Sequence, residues 1–425
     1  MSKKINVKKL IEKIEGEATL GFHFEDEKIE FVDISFLTSR GIEEILKNRH
    51  ALDALTITPR VCGICGHAHL QASIKALEDC FEGLKITNKA RIIRELTLNF
   101  ELIQNHFKWF YLTLLPLLGQ KQKIFQATTP ATLMAKAIAH LAGQYPHNSY
   151  AIVGGVVSDP TAIEILQVKN LIKETLSFFE KNIVVAQSEK LLECENIETL
   201  LEKEGDLPKL LHKLIEKNWQ DLGKSFDRFI VFGENSYFQR GKSIATRVQP
   251  NIDEKFLHLF DNVDSLAKNV MYKNKYYEVG PLSRAMLLKT PLIKASHRRH
   301  GDSIFSRIIA RTCEIVQLLH HSLSLLEKID LSEVSCVYPE IELKKLTGFG
   351  TGAVEAARGS LIHKVELKEG IIKKYQIITP TQWNLSNGDR KTPGISQKAM
   401  IGLADERVAE FVFKSFDVCS VCTTH

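Results

Sequence analysis

"RVCGICGHAH", Arg60–His69, and "DVCSVCTTH", Asp417–His425, are the stretches on which the reading of this chain turns. Each carries a Cys-x-x-Cys with histidine close behind, one near the start of the 425 residues and one at the end of the sequence. Two thiolates at that spacing reach one metal ion, and two such pairs supply the four that close a coordination sphere. Structural zinc sites of this type usually join pairs about 15–20 residues apart in one small knuckle. Here a site made from both pairs has to bring the two ends of the chain together. The residues alone leave a zinc staple, a redox disulfide and a metal cluster all open. Neither pair follows the βαβ pattern of a thioredoxin-like unit, and a core this large has little need of a staple. Soft thiolates suit nickel, iron and copper as well as zinc. Four sulfurs around two metals need bridging sulfurs and leave open positions for a small substrate. A gas-sized substrate also fits the absence of any phosphate-cradling loop.

The composition is that of an ordinary globular protein, 44% apolar and 25% charged, with a net charge of only +5. No basic block stands out, so a nucleic-acid partner is not expected. "MSKKINVKKL" is basic but no apolar segment follows it, and no run of about eighteen uncharged apolar residues occurs. The expectation is a cytoplasmic chain with no signal peptide and no transmembrane segment. The long apolar segment Ile92–Leu118 carries Arg94, Glu95, Glu101, His106 and Lys108, and reads as a buried helix. Of the eight cysteines, Cys80, Cys194, Cys313 and Cys336 are isolated and are expected to be small buried side chains.

Periodicity predicts a β-hairpin over Ala18–Phe36, broken at Glu25–Lys28, and helical patterning from about Gly41. A long core helix is predicted over Asn88–Leu115, another opening at Thr129-Pro130 and ending near Ala142, and a third over Ala162–Lys181. Residues 143–161 read as a Gly- and Pro-rich loop, Glu189–Lys224 as surface helices, and Phe226–Tyr277 as short strands and loops. "SIFSRIIARTCEIVQLLHHSLSLLEKI" is a second long core helix. Leu361–Ile378 is a second hairpin turning at Glu369-Gly370, and a final helix over Ala399–Phe416 delivers the cysteine tail. The fold class predicted is α+β, mainly α: a large helical-bundle core with peripheral β-hairpins, and one domain over 1–425 whose ends meet at the metal site.

With these residues in place, the chain resembles the nickel–iron hydrogenase large (catalytic) subunit, in a soluble, divergent uptake-type form. "RVCGICGHAH" is similar to the family's first signature, Arg-x-Cys-Gly-x-Cys-x-x-x-His, and "DVCSVCTTH" to its last, Asp-Pro-Cys-x-x-Cys-x-x-His. "KIEGE" (Lys13–Glu17), "SRGIEEILKNR", "IQNHFKWFYLTLLP", "YPHNSYAIVGGV", "VGPLSR", "EAARGSLIH" and "ITPTQWN" match intermediate signatures in order. The resemblance therefore spans nearly the whole chain.

It implies a nickel–iron centre whose nickel takes Cys62 and Cys419 as terminal thiolates, with Cys65 and Cys422 bridging to iron. The iron would carry carbon monoxide and two cyanides. Arg358 would lie over the open metal position, where a fixed cation polarises or orients what binds. Glu15 would take the first proton from Cys419 and export it. Glu43 and His425 would hold a divalent cation, Mg2+ in many relatives. His69 and His363 would position sulfurs by hydrogen bonding, and Asp417 is the retained acid of the last signature. Departures from the family pattern are Ala357 before the arginine, Val418 in place of proline, Asn105 where uptake enzymes often have Asp, and Lys13 and Glu17 in the first motif.

The implied activity is the reversible heterolytic oxidation of H2 to protons and electrons. No cysteines are left for an iron–sulfur motif, so a small subunit carrying Fe–S clusters is implied. So are a maturation protease and nickel-insertion proteins, and any export signal would ride on the small subunit. The rival readings are a hydrogen-sensing subunit with the same site, a complex I-type quinone-reduction subunit, which lacks the cysteine pairs, and a zinc-stapled structural protein. Family precursors carry a C-terminal extension cut just after the histidine that corresponds to His425.

Overall fold

The computed structural model describes residues 5–10, 18–262, 265–339 and 342–419. Glu15, Cys422 and His425, with Lys13 and Glu17, lie outside the described residues. The predicted first hairpin is present as β2 (Ala18–Glu25) and β3 (Lys28–Phe36), with β1 (Ile5–Leu10) added antiparallel to β2. Its turn places Asp26 and Glu27 both at positive φ, as a two-residue hairpin loop requires. The extra strand was not legible because "INVKKL" is short and basic.

The bundle is built from five helices. α1 (Gly66–Asp79) follows the first cysteine pair directly. α2 (Asn88–Lys108) is capped by Thr87, whose hydroxyl accepts from Ala90 N–H at 3.1 Å. The sequence predicts one helix to Leu115. Instead, a wider π turn occupies Trp109–Leu114 before a last short turn, Leu115–Leu117. α3 (Ile124–Ala142) starts earlier than predicted and carries Pro130 inside it. The ring removes one backbone bond, to the Gln126 carbonyl, and burial of Ala127, Pro130 and Ala131 compensates. α4 (Ala162–Asn182) opens on a capping box between Thr161 and Glu164. α5 (Ile304–Leu326) is buried over most of its length. α2 packs on α3 and α5, and α4 lies against both of those helices. The surface helices expected between Glu189 and Lys224 are Ser188–Leu192, Ile197–Leu201 and Asp206–Glu216.

The second hairpin belongs to a three-stranded antiparallel sheet, β4 (Gly348–Ala356), β5 (Gly359–Lys368) and β6 (Ile371–Ile378). β4 rests directly on the backbone of α1. A Cβ at Gly350 would meet the Ala76 carbonyl oxygen at 2.0 Å, and one at Gly352 would meet that of Ala72 at 2.0 Å. The alternate glycines of "GFGTG" are thus the reason helix and strand can touch. The predicted final helix is two helices, Ile395–Met400 and α6 (Glu406–Ser415). Gly402 at φ 89° breaks the first, and Asp405 caps the second through Arg407 N–H.

One hydrophobic cluster takes in side chains from Ala18 to Val418. Of the isolated cysteines only Cys313 is fully buried. Cys80, Cys194 and Cys336 are half-buried, contrary to the expectation of four core side chains. Among the described residues no helix is long and apolar enough to cross a membrane.

Candidate metal centre

Thr58–Arg60 forms a 3-10 turn, and α1 starts at Gly66, so Cys62–Cys65 is a tight loop between two helical segments. Gly66 permits the close return, because a Cβ there would meet the Pro59 carbonyl oxygen at 2.5 Å. Within the loop, Ile64 N–H and Cys65 N–H both donate to Cys62 Sγ, at 3.4 and 3.3 Å. From the other end of the chain, α6 stops at Ser415, and Asp417 adopts a left-handed backbone (φ 56°) that sends Val418 and Cys419 inward. Cys62, Cys65 and Cys419 form a buried cluster of their own, with Ile64 packed against it.

Cys62 Sγ and Cys419 Sγ are 3.8 Å apart. A disulfide would be about 2.0 Å. Two thiolates each about 2.3 Å from one tetrahedral metal lie about 3.8 Å apart. The spacing therefore fits a shared soft metal. Cys422, the fourth cysteine of the predicted set, is outside the described residues.

Arg358 sits in the turn between β4 and β5. Its Nε donates to the Asp417 main-chain carbonyl at 2.8 Å, and NH2 lies 3.4 Å from Asp417 Oδ1. Its NH1 is buried and has no partner among the described residues. Burial disfavours the charged guanidinium, but Asp417 and the thiols of Cys419, Cys65 and Cys62 outweigh it and hold the pKa well above its usual value. A fixed cation with one unused donor thus stands beside three buried sulfurs. That donor set fits the nickel–iron centre implied by the sequence.

Behind Asp417 runs a buried polar network that the sequence reading missed. Arg311 NH1 donates to Asp417 Oδ2 at 2.8 Å and to His106 Nδ1 at 3.1 Å. His106 Nε2 meets Glu314 Oε1 at 2.8 Å. Arg284 grips Glu314 through Nε and NH2, at 2.8 and 2.6 Å, and Glu355 through NH1 at 2.9 Å. Burial, only partly offset by Glu314, pushes His106 down to about 4. The ring is neutral: Nε2–H donates to Glu314 and Nδ1 accepts from Arg311. Burial alone would raise Glu314, but Arg284 and His106 hold it down to about 2. In the sequence, His106 serves only as one of the polar residues that mark Ile92–Leu118 as a buried helix, and Arg284, Arg311 and Glu314 are not singled out.

His69 and His363 do come together, Nδ1 to Nε2 at 3.0 Å. His363 Nδ1 faces Ser73 Oγ at 3.1 Å and Tyr375 OH at 2.9 Å, and Ser73 Oγ meets Thr58 Oγ1 at 2.6 Å. Glu43 lies against β6, where Ile377 pairs with His363 of β5: Oε1 accepts from Ile377 N–H at 2.7 Å, and Oε2 is 3.4 Å from Lys268 Nζ. His67, which matched no motif, is buried near the cysteine loop. It stacks on Tyr150 and accepts from Asn148 Nδ2 at 3.0 Å. Glu101 was also not singled out. It shares a small cavity with Cys62, Gly66 and His67, and burial pushes its carboxyl up to about 8 despite two amide donors. Trp109 is core, with its indole N–H on the Lys414 carbonyl at 3.1 Å.

Comparison with known proteins agrees with this arrangement. The model of the nickel-dependent hydrogenase family matches residues 40–116 and 232–425. The chain is 25% identical to the periplasmic [NiFeSe] hydrogenase large subunit of Desulfomicrobium baculatum, over 97% of this chain and 93% of that one. It is 24% identical to one subunit of the F420-non-reducing hydrogenase vhc of Methanococcus voltae, over 98% of this chain and 94% of that protein. In fold it is similar to the Ni-Fe-Se hydrogenase of D. vulgaris Hildenborough, with a TM-score of 0.83 at 22% identity and all of both chains covered. The chain belongs to the nickel-dependent hydrogenase family, as a large, catalytic subunit that acts on H2.

Proposed function

We propose that Cys62, Cys65, Cys419 and Cys422 together hold the nickel–iron centre at which this subunit oxidises H2. The observation that carries this reading is the meeting of Cys62 Sγ and Cys419 Sγ at 3.8 Å, from opposite ends of the chain. When bound, such a centre supplies heterolytic cleavage of H2. The chain's own residues do the rest. Cys62, Cys65 and Cys419, at 2%, 6% and 0% exposure, keep water away from the site. Arg358, fixed by two contacts to Asp417, holds a permanent charge beside the sulfurs, where it would polarise or orient what the centre binds. Cys419 Sγ or the Arg358 region holds the first proton, and Glu15 carries it outward. His69 and His363 orient sulfurs, backed by Ser73 and Tyr375.

The reading includes carbon monoxide and two cyanides on the iron, and Mg2+ or another divalent cation between Glu43 and His425. The family implies a partner, the small subunit. We assign the Fe–S clusters to it, because Cys80, Cys194, Cys313 and Cys336 are scattered. Nickel-insertion proteins and a maturation protease complete the set of partners. The single domain is supported by the hydrophobic cluster that runs from Ala18 to Val418.

Metal analysis of the purified complex tests the centre: about one nickel and one site iron per large subunit is expected, and zinc alone would overturn it. Infrared bands of metal-bound carbon monoxide and cyanide are the expected companion. Rapid H2 uptake with an artificial acceptor is expected of the enzyme, whereas very slow turnover would transfer the reading to a hydrogen sensor.

A further inference from the structure

A helix begins with N–H groups that have no acceptor within the helix, and a Ser, Thr, Asp or Asn just before it normally supplies one. At α1 that position is Cys65, which provides no side-chain cap. Its sulfur is placed among the thiols of the metal site instead. The missing acceptor comes from α2. Glu101, 1% exposed, takes His67 N–H on Oε2 at 2.9 Å and Ala68 N–H on Oε1 at 3.0 Å.

One turn further along α2, Asn105 Nδ2 donates to the Ile64 carbonyl at 3.2 Å and to the Glu101 carbonyl at 2.9 Å. Tyr145 OH reaches the same Ile64 carbonyl at 3.4 Å. Two residues four apart on one rigid helix therefore hold the cysteine loop on both sides: its carbonyl at Ile64 and its amides at His67 and Ala68. The held segment is the one that turns the Ile64 and Cys65 amides toward Cys62 Sγ. Such N–H···S bonds stabilise negative charge on a thiolate and shift the potential of a metal bound to it.

We propose that Glu101, backed by Asn105, is a positioning residue for the metal centre: it caps α1 in trans, and so fixes the Cys62–Cys65 loop and the amide donors on Cys62 Sγ. The part of Glu101 is played on the backbone of the cysteine loop rather than on substrate. The metal half of this inference rests on the reading of the cysteines as ligands. The capping half does not.

Two measurements on Glu101→Gln and Glu101→Ala in the full-length chain separate these halves. The first is amide hydrogen exchange across Ile64–Leu70 in metal-free protein. Glu101→Ala is expected to exchange roughly tenfold faster there, the worth of about one lost buried hydrogen bond, with α4 and α5 unchanged. Glu101→Gln, the same shape with one acceptor left, is expected to fall between. The second is the nickel electron-paramagnetic signal and its midpoint potential in the assembled enzyme. Both are expected to move in Glu101→Gln while thermal stability stays near that of the unsubstituted enzyme. Unchanged exchange in both variants would overturn the cap. Faster exchange with an unmoved nickel signal would overturn the positioning role. If Glu101→Ala fails to fold, Glu101→Gln decides alone. An unsubstituted enzyme without nickel would overturn the metal reading while the exchange result still judged the cap.

Discussion

Arg358 and Asp417 meet twice, side chain to main chain at 2.8 Å and side chain to side chain at 3.4 Å. The second oxygen of Asp417 belongs to Arg311. Asp417 thus balances two buried guanidiniums, and its left-handed backbone turns the chain into Cys419. Asp417→Ala should leave both charges unpaired and destabilise the protein by about 3–5 kcal/mol. Thermal unfolding checks this, and a melting temperature near that of the parent would remove Asp417 as the pivot.

Arg358→Lys keeps the charge but cannot make the forked contact with Asp417. H2 oxidation should fall by roughly 10–100-fold, the usual effect of a lost partner around a metal site, with nickel content unchanged. Full activity in this variant would show that any cation suffices there.

Cys62→Ser and Cys419→Ser should each abolish nickel retention, since a hydroxyl is a poor ligand for a soft site. Cys313→Ser, at a cysteine buried away from the cluster, should retain nickel. Metal content per chain separates the two classes. Nickel retained after loss of Cys62 would argue against the shared site.

His106 is held neutral by burial, with its pKa down to about 4. On acidification the unfolded chain takes up this proton near pH 6.5 and the folded chain does not, so stability should fall between about pH 6.5 and 4. His67, also pushed down to about 4 by burial, adds to the same window. Glu314, held at about 2, adds a further loss as pH drops below about 4.5. His106→Gln should flatten part of the upper limb in a series of melting temperatures against pH. An unchanged profile would mean that His106 does not titrate on unfolding.

Gly352→Ala should push β4 off α1, since the new methyl would stand 2.0 Å from the Ala72 carbonyl oxygen. A cost of about 1–3 kcal/mol is expected for such overpacking. Because α1 follows directly on Cys65, nickel occupancy should fall with it. Gly348→Ala, whose Cβ would meet its nearest atom at an ordinary 3.6 Å, should be tolerated.

In the sequence by itself the two Cys-x-x-Cys pairs stand out, because their spacing is a local property, and the resemblance their stretches carry implies a common site. The sequence also determined the long helices and both hairpins, because 3.6- and 2-residue periodicities are local properties. Boundaries were less legible. Pro130 reads as a helix start but sits inside α3, since burial of its neighbours outweighs one lost backbone bond. What only the tertiary structure decided is the set of partners. Glu101 reads as a charge in an apolar helix, and nothing local says that it reaches the amides of a loop more than thirty residues earlier. Likewise His106, Arg311, Glu314 and Arg284 are isolated polar residues on three helices. They become one network only when α2 and α5 pack, because a buried charge is tolerable solely where another chain segment pairs it.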